Sequence, residues 1–293
     1  ITGAIMIINR SITVGGLFAF ITYIDFITDP FFYMMGIGGY IFSIILPAAE
    51  RLFGFLDMEC ESSVADQKLL RLDEGYDVKN IIFENISFSY ENEKVLDGIS
   101  FEINKGEKIV LTGSNGSGKT TIINLLLRFY KPDSGRILLN GVDINSISLK
   151  DYRRLISVIC QDVYLFDASI KENISLFTGI DENTIINAAR QSGADDFINK
   201  MPQKYDSAIG RNGSQISGGE RQKIAMARAF AKKTPILVMD EATSGFDNES
   251  DMLINRILES EFNNVTAIII THKPDILKKV DKVLTLEKGR IEA

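Results

Sequence analysis

The segment Gly113-Ser114-Asn115-Gly116-Ser117-Gly118-Lys119-Thr120 constrains this chain more than any other feature. It fits G-x-x-x-x-G-K-[ST] in full, between the apolar run Lys108–Leu111 and the helix-forming run Thr121–Leu127. Its glycines let the backbone curl until its N–H groups face a phosphate, and the helix that follows adds positive potential at its N-terminus. Lys119 can bring a point charge to β- and γ-phosphates, and the Thr120 hydroxyl is placed to ligate Mg²⁺. A chance glycine-rich turn explains the loop but not its two correct flanks.

Short apolar runs at Ile156–Ile159, Ile236–Met239 and Ala267–Ile270 read as further buried strands, several separated by helical patterns. This predicts an α/β fold with a largely parallel sheet. Alternating strand-like segments precede it at Ile81–Phe83, Ile86–Tyr90 and Ile99–Ile103. The mostly helical stretch from Asn173 to Lys233 predicts a subdomain inserted between sheet strands.

Two more motifs carry chemistry. Ile236-Leu237-Val238-Met239-Asp240-Glu241 is a strand ending in two carboxylates, and ligands of doubly wound sheets sit beyond such carboxyl ends. Asp240 can hold Mg²⁺ and Glu241 can polarise an attacking water. Ser217-Gly218-Gly219-Glu220 opens the helix Arg221–Ala231. It reads as a capping box, but two glycines in a first turn cost helix stability that a plain cap does not require. They leave bare N–H groups at the positive end of a dipole, which is an anion site.

Together these motifs resemble the ATP-binding cassette family. The resemblance implies a P-loop ATPase domain with a RecA-like core, an antiparallel β subdomain and an inserted helical subdomain, binding ATP and Mg²⁺ over Gly113–Thr121, including Thr121. Tyr90 resembles the aromatic that stacks on adenine, and Gln161 the glutamine that reaches Mg²⁺ and the attacking water. Ile216–Glu220 is similar to the signature LSGGQ, with Ile and Glu at its ends. Ser244-Gly245-Phe246-Asp247 resembles the D-loop, and His272 the switch histidine that contacts the γ-phosphate. By the same resemblance Glu241, His272 and Gln161 are catalytic. Thr120, Gln161 and Asp240 hold the metal, and Ser217, Gly218, Gly219, Glu220 and Asp247 close on the nucleotide of a second subunit.

The first fifty-odd residues differ in kind. From Ser11 to Ile24, and again from Pro30 to Ala49, there is no charge; only Asp25 and Asp29 intervene. A helix from Ile12 to Ala49 would be roughly 55 Å long, beyond a hydrocarbon core of about 30 Å. Pro30 is its expected kink. Residues Ile1–Asn9 read as the tail of a preceding helix, turned back at Arg10 and Ser11. Apolar residues on every face argue against a buried soluble hairpin, and the missing basic start argues against a signal peptide. Gly16–Phe20 and Ala48–Phe53 resemble the last transmembrane helix and linker of exporters that fuse membrane and ATPase domains, and Ser169–Ile174 resembles an exporter segment after the Q-loop. The expected division is 1–56 for the end of the transmembrane domain, 57–79 for a linker and 80–293 for the nucleotide-binding domain. The resemblance implies a multi-pass cell-membrane protein with a cytoplasmic ATPase domain, whose partners are a second such subunit, a transported substrate and membrane lipid. Arg211 stands where exporters usually carry an acid that contacts the membrane domain.

Charge narrows the alternatives. A net charge of -7 excludes nucleic-acid binding through a general basic face, and the lone His272 excludes a histidine-rich metal centre. Cys60 and Cys160 are too few and too far apart for a disulfide framework. A GTPase would read guanine with an Asn where His272 stands in His272-Lys273-Pro274-Asp275, and it leaves Ser217–Glu220 unexplained. Soluble cassette ATPases of DNA repair or translation leave the apolar start unexplained. A tethered regulator that uses ATP only to change shape has no need of Glu241 and His272.

Overall fold

The computed structural model describes residues 2–58, 69–73, 75–160, 162–240, 265–271 and 273–292. Two compact units divide between Ser63 and Val64.

In the first unit, α1 (Thr2–Ile8) turns back at Arg10, a residue in left-handed conformation, so that Gly3 meets the Leu17 side chain. Thr13 caps α2 (Val14–Tyr40) by accepting the Gly16 N–H at 3.0 Å. The helix runs unbroken through Pro30. The irregular turn lies further on, where Ile41–Ile45 winds as a π-helix before α3 (Leu46–Leu56). Val14–Leu56 is one helical segment of 43 residues, long and apolar enough to cross a membrane. Phe18, Phe26, Phe31, Phe32 and Tyr33 are all exposed on it. Asp25 and Asp29, four residues apart, lie on one face, with no ion-pair partner among the described residues.

The second unit contains two sheets. A six-stranded sheet has the order β10-β9-β3-β8-β7-β6, comprising β3 (Lys108–Thr112), β6 (Ile156–Ile159), β7 (Ile236–Asp240), β8 (Thr266–Ile270), β9 (Lys282–Glu287) and β10 (Arg290–Glu292). All neighbouring pairs are parallel except β9 with β10. Alternate residues of each central strand enter opposite cores, which is why these strands read as continuous apolar runs. Ile109, Leu111, Ile236, Val238, Ile268 and Ile270 join one core with α4 (Lys119–Leu126) and Tyr152 of α5 (Leu149–Arg154). Val110, Leu237, Met239, Ala267 and Ile269 join the other. That second core includes residues of α6 (Ile170–Ser175), α7 (Glu182–Gln191), α8 (Asp195–Ile198) and α9 (Gly218–Lys232), the expected inserted helices.

The antiparallel sheet has the order β2-β1-β4-β5, formed by β1 (Asn80–Tyr90), β2 (Glu93–Asn104), β4 (Ser134–Leu139) and β5 (Val142–Asp143). The runs Ile81–Phe83 and Ile86–Tyr90 are one strand, joined through a register shift at left-handed Asn85. Ahead of it, Leu70 bridges Ile147 and the Leu72 N–H donates to Asp151 at 3.3 Å. The short helix α10 (Pro274–Leu277) precedes β9. The strands β4, β5, β9 and β10 lie outside the apolar and alternating runs read from the sequence.

Candidate nucleotide site

Parallel pairing fixes where the site lies. Asp240 of β7 is in register with Ile270 of β8, and Ile270 with Leu111 of β3. The carboxyl ends of β3, β8 and β7 therefore share one edge, with Asp240 two strands and ~10 Å from the start of the phosphate loop. Met239 is likewise in register with Ile159, which leads into Cys160. Partial desolvation raises the pKa of the exposed Cys160 thiol, and the Asp240 carboxylate on the neighbouring strand end raises it further.

Two glycines in the loop are irreplaceable on steric grounds. Gly113 (φ 139°) lies so close to β9 that a Cβ there would sit 2.0 Å from the Leu286 carbonyl oxygen. At Gly118 (φ 105°) a Cβ would sit 2.6 Å from the Leu96 side chain. Both conformations are left-handed, which L-residues rarely adopt. Lys119 is buried at the head of α4 and turns back into the loop, donating from Nζ to the carbonyl oxygens of Gly113 at 2.9 Å and Ser114 at 2.8 Å. The Ser117 hydroxyl is buried within the loop, without a hydrogen-bond partner among the described residues. Such an orphan polar atom needs an acceptor or donor from a ligand or water. A loop of this shape, with an ammonium and an orphan hydroxyl inside it, fits a phosphate chain. Asn115 and Gly116 form its exposed crown, Thr120 is exposed on α4, and Thr121 is buried behind it.

Tyr90 ends β1, half-buried, with its ring edge-on to Phe88 at 4.9 Å and to Tyr130 at 5.1 Å. The Asn124 amide of α4 donates to the Tyr90 hydroxyl at a long 3.5 Å, tying the aromatic to the helix behind the loop. Thr120 and the half-buried Asp240 supply a hydroxyl and a carboxylate at the same sheet edge, a donor set that suits Mg²⁺.

At the start of α9 the capping box is complete. Glu220 N–H donates to the Ser217 hydroxyl at 3.3 Å, while the Ser217 N–H and hydroxyl both donate to the Glu220 carboxylate at 2.8 Å. Ser217 is exposed, and Gly218 and Gly219 are half-buried. The other end of α9 is anchored to the sheet, where the Ser157 hydroxyl donates to the Ala229 carbonyl at 3.4 Å. The fifteen-residue helix thus carries Ser217 about 20 Å from that anchor. Gln161, Glu241, Asp247 and His272 lie outside the described residues. The sequence reading missed Glu287, whose carboxylate reaches Ser114 in the loop. The alternating Leu284-Thr285-Leu286-Glu287 was the available signal for the strand that carries it.

The family described as ABC transporter matches residues 96–244, slightly more than half of the chain. The chain belongs to the ABC transporter family. It carries that family's ATPase domain, a fold that binds ATP. It is similar to the ATP-dependent lipid A-core flippase of Syntrophus aciditrophicus, at 36% identity over 292 residues covering 99% of this chain and 48% of the relative. A Streptococcus pneumoniae relative, named as an ABC transporter ATP-binding protein, is 37% identical over 96% of this chain and 47% of its own length. Among solved structures, a bacterial Atm1-family ABC exporter with ATP bound matches with a TM-score of 0.75 at 31% identity, covering 85% of this chain and 43% of that one. The chain spans about half the length of the curated relatives it matches.

Proposed function

We propose that this chain is the ATP-hydrolysing portion of an ABC exporter subunit, coupling ATP binding and hydrolysis to movement of a peptide, lipid or drug-like molecule across a membrane. The observation that carries this reading is the span of the relationship. The flippase relative aligns over 99% of the chain, through the 43-residue apolar helix as well as the phosphate loop. A soluble cassette ATPase has no use for that helix. The proposed division is a membrane segment over 1–56, a linker over 57–79 and a nucleotide-binding domain over 80–293, with the last on the cytoplasmic side of a multi-pass cell-membrane protein.

In this account, Tyr90 packs on adenine while the N–H groups of Gly113–Thr121 and the Lys119 ammonium take the phosphates. Thr120, Asp240 and Gln161 would hold Mg²⁺, which supplies charge neutralisation between the β- and γ-phosphates. Glu241 accepts the proton of the attacking water, and His272 and Gln161 sense the γ-phosphate. Lys119 must release the carbonyls of Gly113 and Ser114 to do this, a local exchange of one set of acceptors for another.

Because Ser217–Glu220 stands at the far end of an anchored helix, the partner for the Gly218 and Gly219 N–H groups is the nucleotide of a second subunit. Two head-to-tail subunits then form two shared sites. The flippase relative is named for lipid A-core and the pneumococcal relative for no substrate, so at 36% and 37% identity the cargo class stays broad. The test is ATP turnover by the detergent-purified full-length protein. Wild type should hydrolyse Mg·ATP and Lys119→Ala should not; equal rates would remove the loop from the reaction.

A further inference from the structure

Glu287 is the last residue of β9, the strand that pairs in parallel with β3. Its carboxylate faces the first turn of the phosphate loop and accepts from Ser114 twice, from the backbone N–H at 3.4 Å and from the hydroxyl at 3.2 Å. On the other side of the same residue, Lys119 Nζ donates to the Ser114 carbonyl at 2.8 Å. Ser114 is therefore held between a carboxylate and an ammonium. The turn after Glu287 continues into the antiparallel sheet, where the Asp97 N–H donates to the Gly289 carbonyl at 2.9 Å. Arg290 then donates twice to the Asp97 carboxylate, at 3.0 and 2.6 Å. Residues 287–290 thus fasten the phosphate loop of one sheet to a strand of the other, the sheet that carries Tyr90.

We propose that Glu287 is a positioning residue for nucleotide binding: it holds Ser114 outward, so that the loop keeps its phosphate-facing shape when Lys119 leaves the Ser114 carbonyl for the nucleotide. This rests on reading Gly113–Thr121 as the nucleotide site. A glycine-rich loop has much conformational freedom to lose when it orders around phosphates, and an anchor independent of Lys119 reduces that loss. Both carboxylate oxygens are already engaged by Ser114 donors, so they are turned to the loop backbone rather than left free to oppose the phosphates.

The experiment compares wild type, Glu287→Ala, Glu287→Gln and Lys119→Ala in the detergent-purified full-length protein. It measures ATP turnover and the equilibrium binding of ATP, ADP and adenosine. Loss of the exposed charge-assisted bonds in Glu287→Ala should raise half-saturating ATP and ADP about fivefold. The maximal rate should change less than about twofold and adenosine binding should not change, because the loop holds phosphates and not the base. Glu287→Gln, which keeps one acceptor oxygen, should recover most of the affinity. In a Ser114→Ala background the penalty of Glu287→Ala should shrink. Unchanged or tightened ATP binding in both Glu287 variants, with Lys119→Ala still defective, overturns the inference alone. Normal ATP binding in Lys119→Ala overturns the nucleotide site itself.

Discussion

The Ser217 hydroxyl donates to the Glu220 carboxylate at 2.8 Å, and Ser169 donates to Glu172 in the same way at 2.6 Å at the start of α6. The two capping boxes match in local geometry, each with its serine accepting the N–H three residues on at 3.3 Å. Only the first is followed by two glycines, Gly218 and Gly219, where the second has Ile170 and Lys171.

This pair separates capping from phosphate recognition. Ser169→Ala and Ser217→Ala should each cost about 1 kcal/mol of stability, the usual worth of an N-cap. Only Ser217→Ala should also lose ATP turnover, by tenfold or more. Melting curves and steady-state ATPase assays on both variants check this. Equal activity of the two would leave Ser217–Glu220 as a cap and nothing more.

Asp25 lies in the 43-residue apolar segment, one helical turn before Asp29. A carboxylate facing lipid at mid-membrane costs roughly 2.5–3.5 kcal/mol on insertion scales, so Asp25 should face a water-filled pathway or a partner helix. Asp25→Asn should alter transport, or cargo-stimulated ATP turnover, while leaving ATP affinity as in wild type. Unchanged transport in vesicles would make it a bystander.

Asp97 joins the two sheets of the second unit through Arg290. Its carboxyl is held below the ordinary carboxylate range by hydrogen bonds, first from Lys94 and then from Arg290. A carboxylate depressed in the folded state stabilises above its unfolded value of about 3.9, and that contribution fades as pH falls through the lower folded value. Asp97→Asn should therefore melt below wild type at pH 7, and the two should converge only as pH falls below about 4 and on through the lowered folded value. A difference independent of pH would mean the asparagine disturbs packing rather than charge.

Glu241 directly follows Asp240, the proposed metal ligand. Glu241→Gln should keep ATP binding and lose turnover by about 10²–10⁴-fold, the range for a general base. Single-turnover hydrolysis measures it, and near-normal rates would place the base elsewhere.

Much of this was legible from residue order because it depends on local geometry. The loop Gly113–Thr120 carries its own backbone requirements, and the runs at Lys108, Ile156, Ile236 and Ala267 are apolar on both faces because both faces are buried. What escaped was non-local. β9 is flanked by lysines and has Val283 exposed, so its alternation read weakly; its place next to β3 comes only from parallel pairing. Glu287 reaches Ser114 across 173 positions of sequence, and no spacing rule connects them. The π turn at Ile41–Ile45 was equally invisible, since Pro30 was the obvious irregularity and the helix passes through it unbroken.

In the proposed exporter, ATP is hydrolysed at a site built by two chains, Lys119 from one and Ser217 from the other. Differently tagged Lys119→Ala and Ser217→Arg subunits can be co-expressed and the mixed dimer isolated by both tags. Each parent homodimer has both sites damaged. The mixed dimer gathers both lesions into one site and leaves the other whole, so its ATP occlusion should recover to about half that of wild type. A mixed dimer as inactive as its parents, with no ATP occluded, would contradict the shared site and return both motifs to a single chain.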